Sequence, residues 1–447
     1  MAANEWAPLR LGAVCSKIGS GATPRGGSDV YLQKGPYALI RSQNVYNDGF
    51  HCDGLAFIGE QHAAELENVE VLKGDVLLNI TGDSVARACQ VDSRVLPARV
   101  NQHVTIIRPD PEKLDPRFLR YFLVSPEMQT KLLSWAGSGG TRNALTKGMI
   151  ESFNVVSPTN ISEQCAIAHI LGTLDDKIEL NRRMNETLEA IARAIFKSWF
   201  VDFDPVRAKT EGRDPGLPKH IADLFPDSFE NSELGEIPKG WEVAELGEIT
   251  DIIDCLHSKK PERRDIGRPL LQLWNIRDDG LIDMDDTYFI DESDYEIWIS
   301  RMEASPGDCV ITNVGRVGAV AQMPMGQKAA LGRNMTGLRC KPAFAFPTFL
   351  IECLLSQAMI DEIARKMDTG TILDALNVRN IPKLRLAIPK EAIVMYFDNL
   401  VRPIRAQMER NLGEALTLAA LRDTLLPSLI SGRLRVKCVD KILEAAI

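Results

Sequence analysis

The chain has 447 residues, of which 45% are hydrophobic and 25% charged, with a formal net charge of −9. That length exceeds one ordinary domain, so two or more are expected, and no stretch approaches the roughly 20 uninterrupted apolar residues of a membrane span. Nine scattered cysteines without a CxxC pair suggest neither a disulfide framework nor a zinc site, and the acidity argues against nucleic acid unless positive charge is gathered locally.

The N-terminus MAANEWAPLR lacks the basic start and apolar run of an export signal, so a soluble, cytoplasmic protein without a membrane partner is expected. The first 155 or so residues are rich in Gly, Pro and short apolar runs. DVLLNI, HVTIIRP and FNVVSP read as strands between turns, with one helix from about Pro116 to Trp135, which makes a mixed α/β domain. From Ser162 to Phe200 the pattern turns helical, and a helix of about 38 residues would be roughly 57 Å long. A rod of that length needs a partner. Residues 204–240 carry many Pro and Gly and read as a connector. A second α/β region follows, then a second helical stretch from Ile393 to Ile430, in which Pro403 should kink the helix or mark a late start.

Both stretches carry apolar residues close to heptad spacing. In the first these are Ile167, Leu171, Leu174, Ile178, Leu188, Ile191 and Ile195, with Trp199 beyond and Asn181 interrupting; in the second, Phe397, Leu400, Ile404, Met408, Leu418, Leu421 and Leu425. The stripes are long for the face of a small domain, so the rods are expected to pack on each other, with Asn181 fixing register. The alternative is that each stripe packs on its own globular domain.

The two halves of the chain align nearly end to end. Leu188, Ile191, Ile195, Phe196 and Ser198 match Leu418, Leu421, Leu425, Leu426 and Ser428. Trp6 matches Trp241, GDVLLNITGDSVARA (74–88) matches GDCVITNVGRVGAVA (307–321), and DPRFLRYFLVSPEM (115–128) matches FPTFLIECLLSQAM (346–359). The offset drifts only between 235 and 230, as a duplicated unit with small loop changes requires.

EQCAIAHILGTLDDKIELNRRMNETLEAIARAIFKSWFVDFDPV (163–206), LFPDSFENSELGEIPKGW (224–241), LGAVCSKIGSGATPRGG (11–27) and NVRNIPKLRLAIP (377–389) together resemble the DNA-specificity subunits of type I restriction-modification systems. The resemblance spans essentially the whole chain. The second copy departs from it at LGEITDIIDCLHSKKPERRD, which lacks the Gly-Thr-Pro pattern. The resemblance implies two similar target-recognition domains (1–160 and 236–390) separated by two long antiparallel helices packed as a coiled coil (161–204 and 391–435), with a connector (205–235), a tail (436–447) and pseudo-two-fold symmetry. It also implies a non-catalytic adaptor that reads a split asymmetric DNA target and recruits two methylation subunits and restriction subunits. S-adenosylmethionine, ATP and Mg2+ would then sit on those partners.

The chain itself offers no chemistry. An adenine methyltransferase needs an Asn/Asp-Pro-Pro-aromatic motif and a Gly-rich cofactor loop, and GSGATPRGG lacks the Gly-Lys-Ser/Thr ending of a phosphate cradle. The six histidines stand in no metal-binding spacing, so no metal is expected, and the run DDGLIDMDDTYFIDESD (278–294) reads as a solvated acidic loop.

Residues 1–157 hold 16 Lys and Arg against 16 Asp and Glu, and residues 236–390 hold 19 against 24, so DNA contact must come from local patches. In the first domain the candidates are Lys17, Ser20, Thr23 and Arg25, then Arg41, Gln43 and Asn44, then Arg142 and Asn143. In the second they are His257, Lys259, Lys260 and Arg263, then Gln272, Trp274 and Asn275, and Arg316. Lys and Arg neutralise phosphates, and Arg, Asn and Gln pair with base edges. Asn101 and Asn334 read as turn residues bonded to backbone, and Trp6 and Trp241 as core anchors.

Overall fold

The computed structural model describes residues 6–137, 143–368 and 374–436. The chain forms two compact units, residues 1–179 with 417–447, and residues 180–416.

The first unit contains β1 (Trp6–Arg10), β2 (Cys15–Ser20), β3 (Tyr37–Ile40), β4 (Ala56–Ile58), β5 (Glu70–Val71), β6 (Val76–Asn79), β7 (Ala88–Gln90), β8 (Ala98–Val100), β9 (Val104–Pro109) and β10 (Asn154–Pro158). One sheet runs β2-β9-β6-β7, a second runs β4-β3-β8-β5, and β1 pairs with β10. Among the described residues only the β3–β8 pairing is parallel. The VLLN run of β6 is buried throughout because its period-2 alternation feeds two cores. Leu77 joins Leu39, Ile40 and Ile106 between the sheets, while Val76 and Leu78 join Phe118 and Leu119 on the other face.

The single helix expected from Pro116 to Trp135 is instead two, Pro116–Val124 and Pro126–Gly137. Pro126 disfavours helical geometry at Ser125, whose φ −63° and ψ 143° are extended, and the second helix starts afresh there.

The second unit repeats this plan. After a hairpin of β11 (Phe229–Ser232) and β12 (Gly235–Pro238) come β13 (Glu242–Glu245), β14 (Thr250–Asp254), β15 (Arg268–Leu271), β16 (Tyr288–Ile290), β17 (Glu303–Ala304), β18 (Cys309–Thr312), β19 (Val320–Gln322), β20 (Ala329–Leu331), β21 (Met335–Cys340) and β22 (Arg385–Ile388). The sheets run β14-β21-β18-β19 and β16-β15-β20-β17, and β13 pairs with β22. Again, among the described residues only one pairing, β15–β20, is parallel. The alternation recurs as well: Val310 enters the inter-sheet core, and Cys309 and Ile311 enter the helical one. The connector is packed rather than loose, since Val206, Ile221 and Phe225 are buried in that same core.

The two long helices are Ile161–Phe200 and Glu391–Ile430, 40 residues each. The second continues through Pro403, so a late start is excluded. The carbonyl that Pro403 leaves unpaired belongs to Asn399, an exposed residue that water can serve.

Each long helix contributes to both units, and within each unit the two run antiparallel. In the first unit Asp175 accepts Arg422 Nη1 at 2.8 Å, and Leu171 and Leu174 share a core with Leu425 and Leu429. In the second, Asn181 Nδ2 donates to Glu414 Oε2 at 2.8 Å, and Asn185 exchanges bonds with Asn411 (2.8 Å) and the Met408 carbonyl (3.0 Å). Rising numbers on one helix meet falling numbers on the other. The first long helix also packs on a head, where Phe196 and Phe200 meet Phe349, while Phe196 and Trp199 meet Phe397 of the second long helix.

The expected seam needs correction. Trp199, Met408 and Leu425 are buried, and Ile178, Leu188, Ile195, Leu418 and Leu421 are half-buried. Ile191, however, is 42% exposed, and Leu400 39%. The buried positions step through Leu174, Asn181, Asn185, Ala192 and Trp199, which puts Ile191 one residue off the inward line.

Candidate nucleic-acid interface

The register places the turn-rich segments of the first unit together. Ser20 pairs with Thr105, Asn79 with Val104, Leu78 with Ala88, and Ile40 with Val100. The segments 21–36, 41–55, 80–87 and 101–103 therefore leave from the same end of the two sheets. Hydrogen bonds stitch them: Gly21 N to the Asn101 carbonyl (3.1 Å), Thr23 Oγ1 to Gln102 Oε1 (2.6 Å), Gln102 with His103 (3.0 Å), His103 with Thr81 (2.6 Å), and Asn79 Nδ2 to the Ser42 carbonyl (2.9 Å). A Cβ on Gly21 would lie 1.7 Å from the Val100 carbonyl oxygen, so the glycine serves a close backbone approach.

Of the first-domain candidates, Ser20, Thr23, Arg25 and Gln43 are exposed at this end. Lys17 lies within β2 and donates to the Asn68 carbonyl. Arg41 is half-buried, donates to the Gly54 carbonyl (2.6 Å) and lies over Tyr31. Asn143 is exposed, and its carbonyl accepts from Gly82 N at 3.4 Å. Arg142 falls outside the described residues.

Asn44 is a correction. It is fully buried, its Oδ1 accepting from Arg41 N (3.1 Å) and its Nδ2 donating to the carbonyls of His51 (3.0 Å) and Asp53 (3.2 Å). It holds the loop and presents nothing to a base. Asn275 repeats it, accepting from Gln272 N (2.8 Å) and donating to the Asp283 carbonyl (2.7 Å). Gln272 is buried with its amide on the Leu271 carbonyl (3.0 Å), so it too leaves the set of readers.

In the second unit Thr312 pairs with Met335, Ile311 with Val320 and Leu271 with Leu331, which gathers segments 255–267, 272–287, 313–319 and 332–334 in the same way. His257 and Lys259 are exposed there, His257 2.8 Å from Asp254. Arg263 binds Asp286 (2.5 Å), and Arg316 bridges Asp278 and the Leu273 and Ile276 carbonyls. The acidic run is thus partly engaged with the candidate cations. Trp274 is 49% exposed, with its indole Nε1 donating to the Asp286 carbonyl at 2.9 Å. Lys260 Nζ lies 3.9 Å from the Tyr288 ring centre and 5.2 Å from that of Trp274. Partial burial, and then Arg263 beside it, hold Lys260 below the ordinary ammonium range.

Sequence reading missed Gln102 and His103, whose signal was a polar triplet (NQH) splitting two apolar runs, together with Thr81, the partner of His103, and Tyr288, the platform under Lys260. Asn101 Oδ1 does accept from a backbone amide, that of His103 (3.0 Å), and Trp241 is buried. Among the described residues one group, Asp254, Cys255 and His257, brings three potential metal-ligating atoms within 4.8 Å. Asp254 is already paired with His257 and lies 3.6 Å from Arg301, so the group reads as an ion-pair cluster.

Residues 3–190 match the family model of the type I restriction modification DNA specificity domain. The chain is 26% identical over 442 residues to the specificity subunit of the type I restriction enzyme HindI of Haemophilus influenzae, covering 89% of this chain and 94% of that protein. It is 27% identical over 324 residues to the specificity subunit of MjaIX of Methanocaldococcus jannaschii, covering 71% and 69%. The crystal structure of a type I S subunit from M. genitalium shares the fold, with a TM-score of 0.59 and 14% identity over 96% of this chain and 97% of that one. No described helix is long and apolar enough to cross a membrane. A loop-bearing head built twice, a match to the specificity domain and relatives along most of the chain lead to one conclusion: residues 3–190 match the type I restriction modification DNA specificity domain, and the chain as a whole is similar to type I restriction enzyme specificity subunits.

Proposed function

We propose that the chain reads a bipartite, asymmetric DNA sequence, one half-site per head, and brings methylation and restriction subunits to it. The observation that carries this reading is the duplication itself: two heads share strand order and pairing sense, yet their loop ends carry different side chains. Equal scaffolds with unequal tips suit two unequal half-sites. Two methylation subunits binding S-adenosylmethionine, and restriction subunits using ATP and Mg2+, supply the chemistry. The residues that meet DNA are drawn from Lys17, Ser20, Thr23, Arg25, Gln43 and Asn143 in the first head, and from His257, Lys259, Lys260, Arg263, Trp274 and Arg316 in the second.

The test combines the purified chain with its methylation partner, S-adenosylmethionine and a random duplex pool, and sequences the methylated products. One bipartite motif with a fixed gap near one helical turn is expected, and no methylation by the chain alone. Methyl transfer by the isolated chain, or a continuous motif, would refute the reading.

A further inference from the structure

The two heads carry one device in common. The turn Ser42–Asn44 and its counterpart Leu273–Asn275 are pinned by the same buried asparagine, through the same bond to the backbone amide three residues earlier. The backbone matches too: His51 N reaches the Asn44 carbonyl (3.0 Å), and Asp283 N reaches that of Asn275 (2.8 Å). Each pin holds the residue before it out into solvent at the loop-bearing end of its head. In the first head that residue is Gln43; in the second it is Trp274.

Their free chemistry differs. Gln43 gives one N–H to the Gly54 carbonyl (3.1 Å), which leaves its second N–H and Oε1 for the donor and acceptor pair that adenine shows in the major groove. Trp274 has a single polar group, and the Asp286 carbonyl takes it. What its half-exposed ring, braced beside Lys260 and Tyr288, can offer DNA is apolar surface. In the major groove the apolar mark is the thymine methyl.

We infer that this pinned position is a specificity determinant in both heads, where Gln43 reads the hydrogen-bonding edge of an adenine and Trp274 reads the methyl group of a thymine. The inference rests on the proposed half-site reading and assigns the base feature that each head takes.

The experiment uses the chain assembled with its methylation partner and the DNA target that methylation defines. Each thymine is replaced in turn by deoxyuridine, which removes only the methyl, and each adenine by 7-deazaadenine, which removes only N7. Binding is followed by fluorescence anisotropy. One thymine should be sensitive, its replacement weakening binding about fourfold, as expected for one buried methyl. Trp274→Ala should abolish that sensitivity, Trp274→Phe should keep part of it, and both should leave the other half-site's base preferences intact. One adenine in that other half-site should show a loss of about tenfold on 7-deaza substitution, removed by Gln43→Ala. Indifference of the wild-type complex to every deoxyuridine, or undiminished sensitivity in Trp274→Ala, overturns the inference while leaving half-site reading in place. Failure to bind the unmodified target would instead sink the proposed function.

Discussion

Asn44 and Gln43 are neighbours of similar composition and opposite fate. One is sealed in the loop with three backbone partners, and the other stands in water. Replacing Asn44 with Ala would leave the Arg41 amide and two carbonyls without their partner, at a cost of about 1 to 3 kcal/mol. Thermal unfolding of Asn44→Ala should fall accordingly, with base preference relaxed at one half-site only. Unchanged melting would show that the pin carries no load. Sequence marks both residues only as polar groups in a turn-rich segment. Which of them faces inward depends on the carbonyls of His51 and Asp53, several positions away, so the pin was not legible, whereas the gathering of candidates in turns was.

The elements were more legible than their faces. Strand runs and both long helices follow from periodicity, because spacing along the chain sets which side chains share a face. The inward line of the first helix was misjudged at Ile191 because the buried positions include Asn185 and Ala192, residues that a search for apolar side chains passes over. Met408 is fully buried on the second helix. Met408→Asp should therefore destabilise the second unit by about 3 kcal/mol or more, since a carboxylate introduced into a packed seam is costly to desolvate; chemical denaturation would reveal a smaller loss if the seam were loose. Asp175 links three elements of the first unit, meeting Arg120 (2.5 Å), Tyr121 (2.6 Å) and Arg422 (2.8 Å). Burial pushes its carboxyl up, but the Arg120 charge and the bonds from Arg422 and Tyr121 outweigh it and hold it below the usual carboxylate range. A folded-state value below the unfolded one gives stability that is complete above about pH 4 and drains away as pH falls through the lowered value. Acid titration of stability should show that loss in the wild type and a flatter curve in Asp175→Asn, which should also cost about 3 kcal/mol at neutral pH by stranding Arg120. Identical acid limbs would remove Asp175 from the account.

At the scale of the molecule, the duplication was visible in the sequence because apolar spacing and turn residues recur at a nearly constant offset. The equivalence of all ten head strands in order and pairing sense is its structural form. The bases each head reads were not visible, since recognition depends on loop geometry and on DNA deformability together. The most direct measurement is the methylome of cells with and without this chain, their methylation partner present in both. The account predicts that one bipartite motif, with two unlike halves and a fixed gap, appears only when the chain is present. An unchanged methylome, or a motif in one unbroken piece, would contradict it.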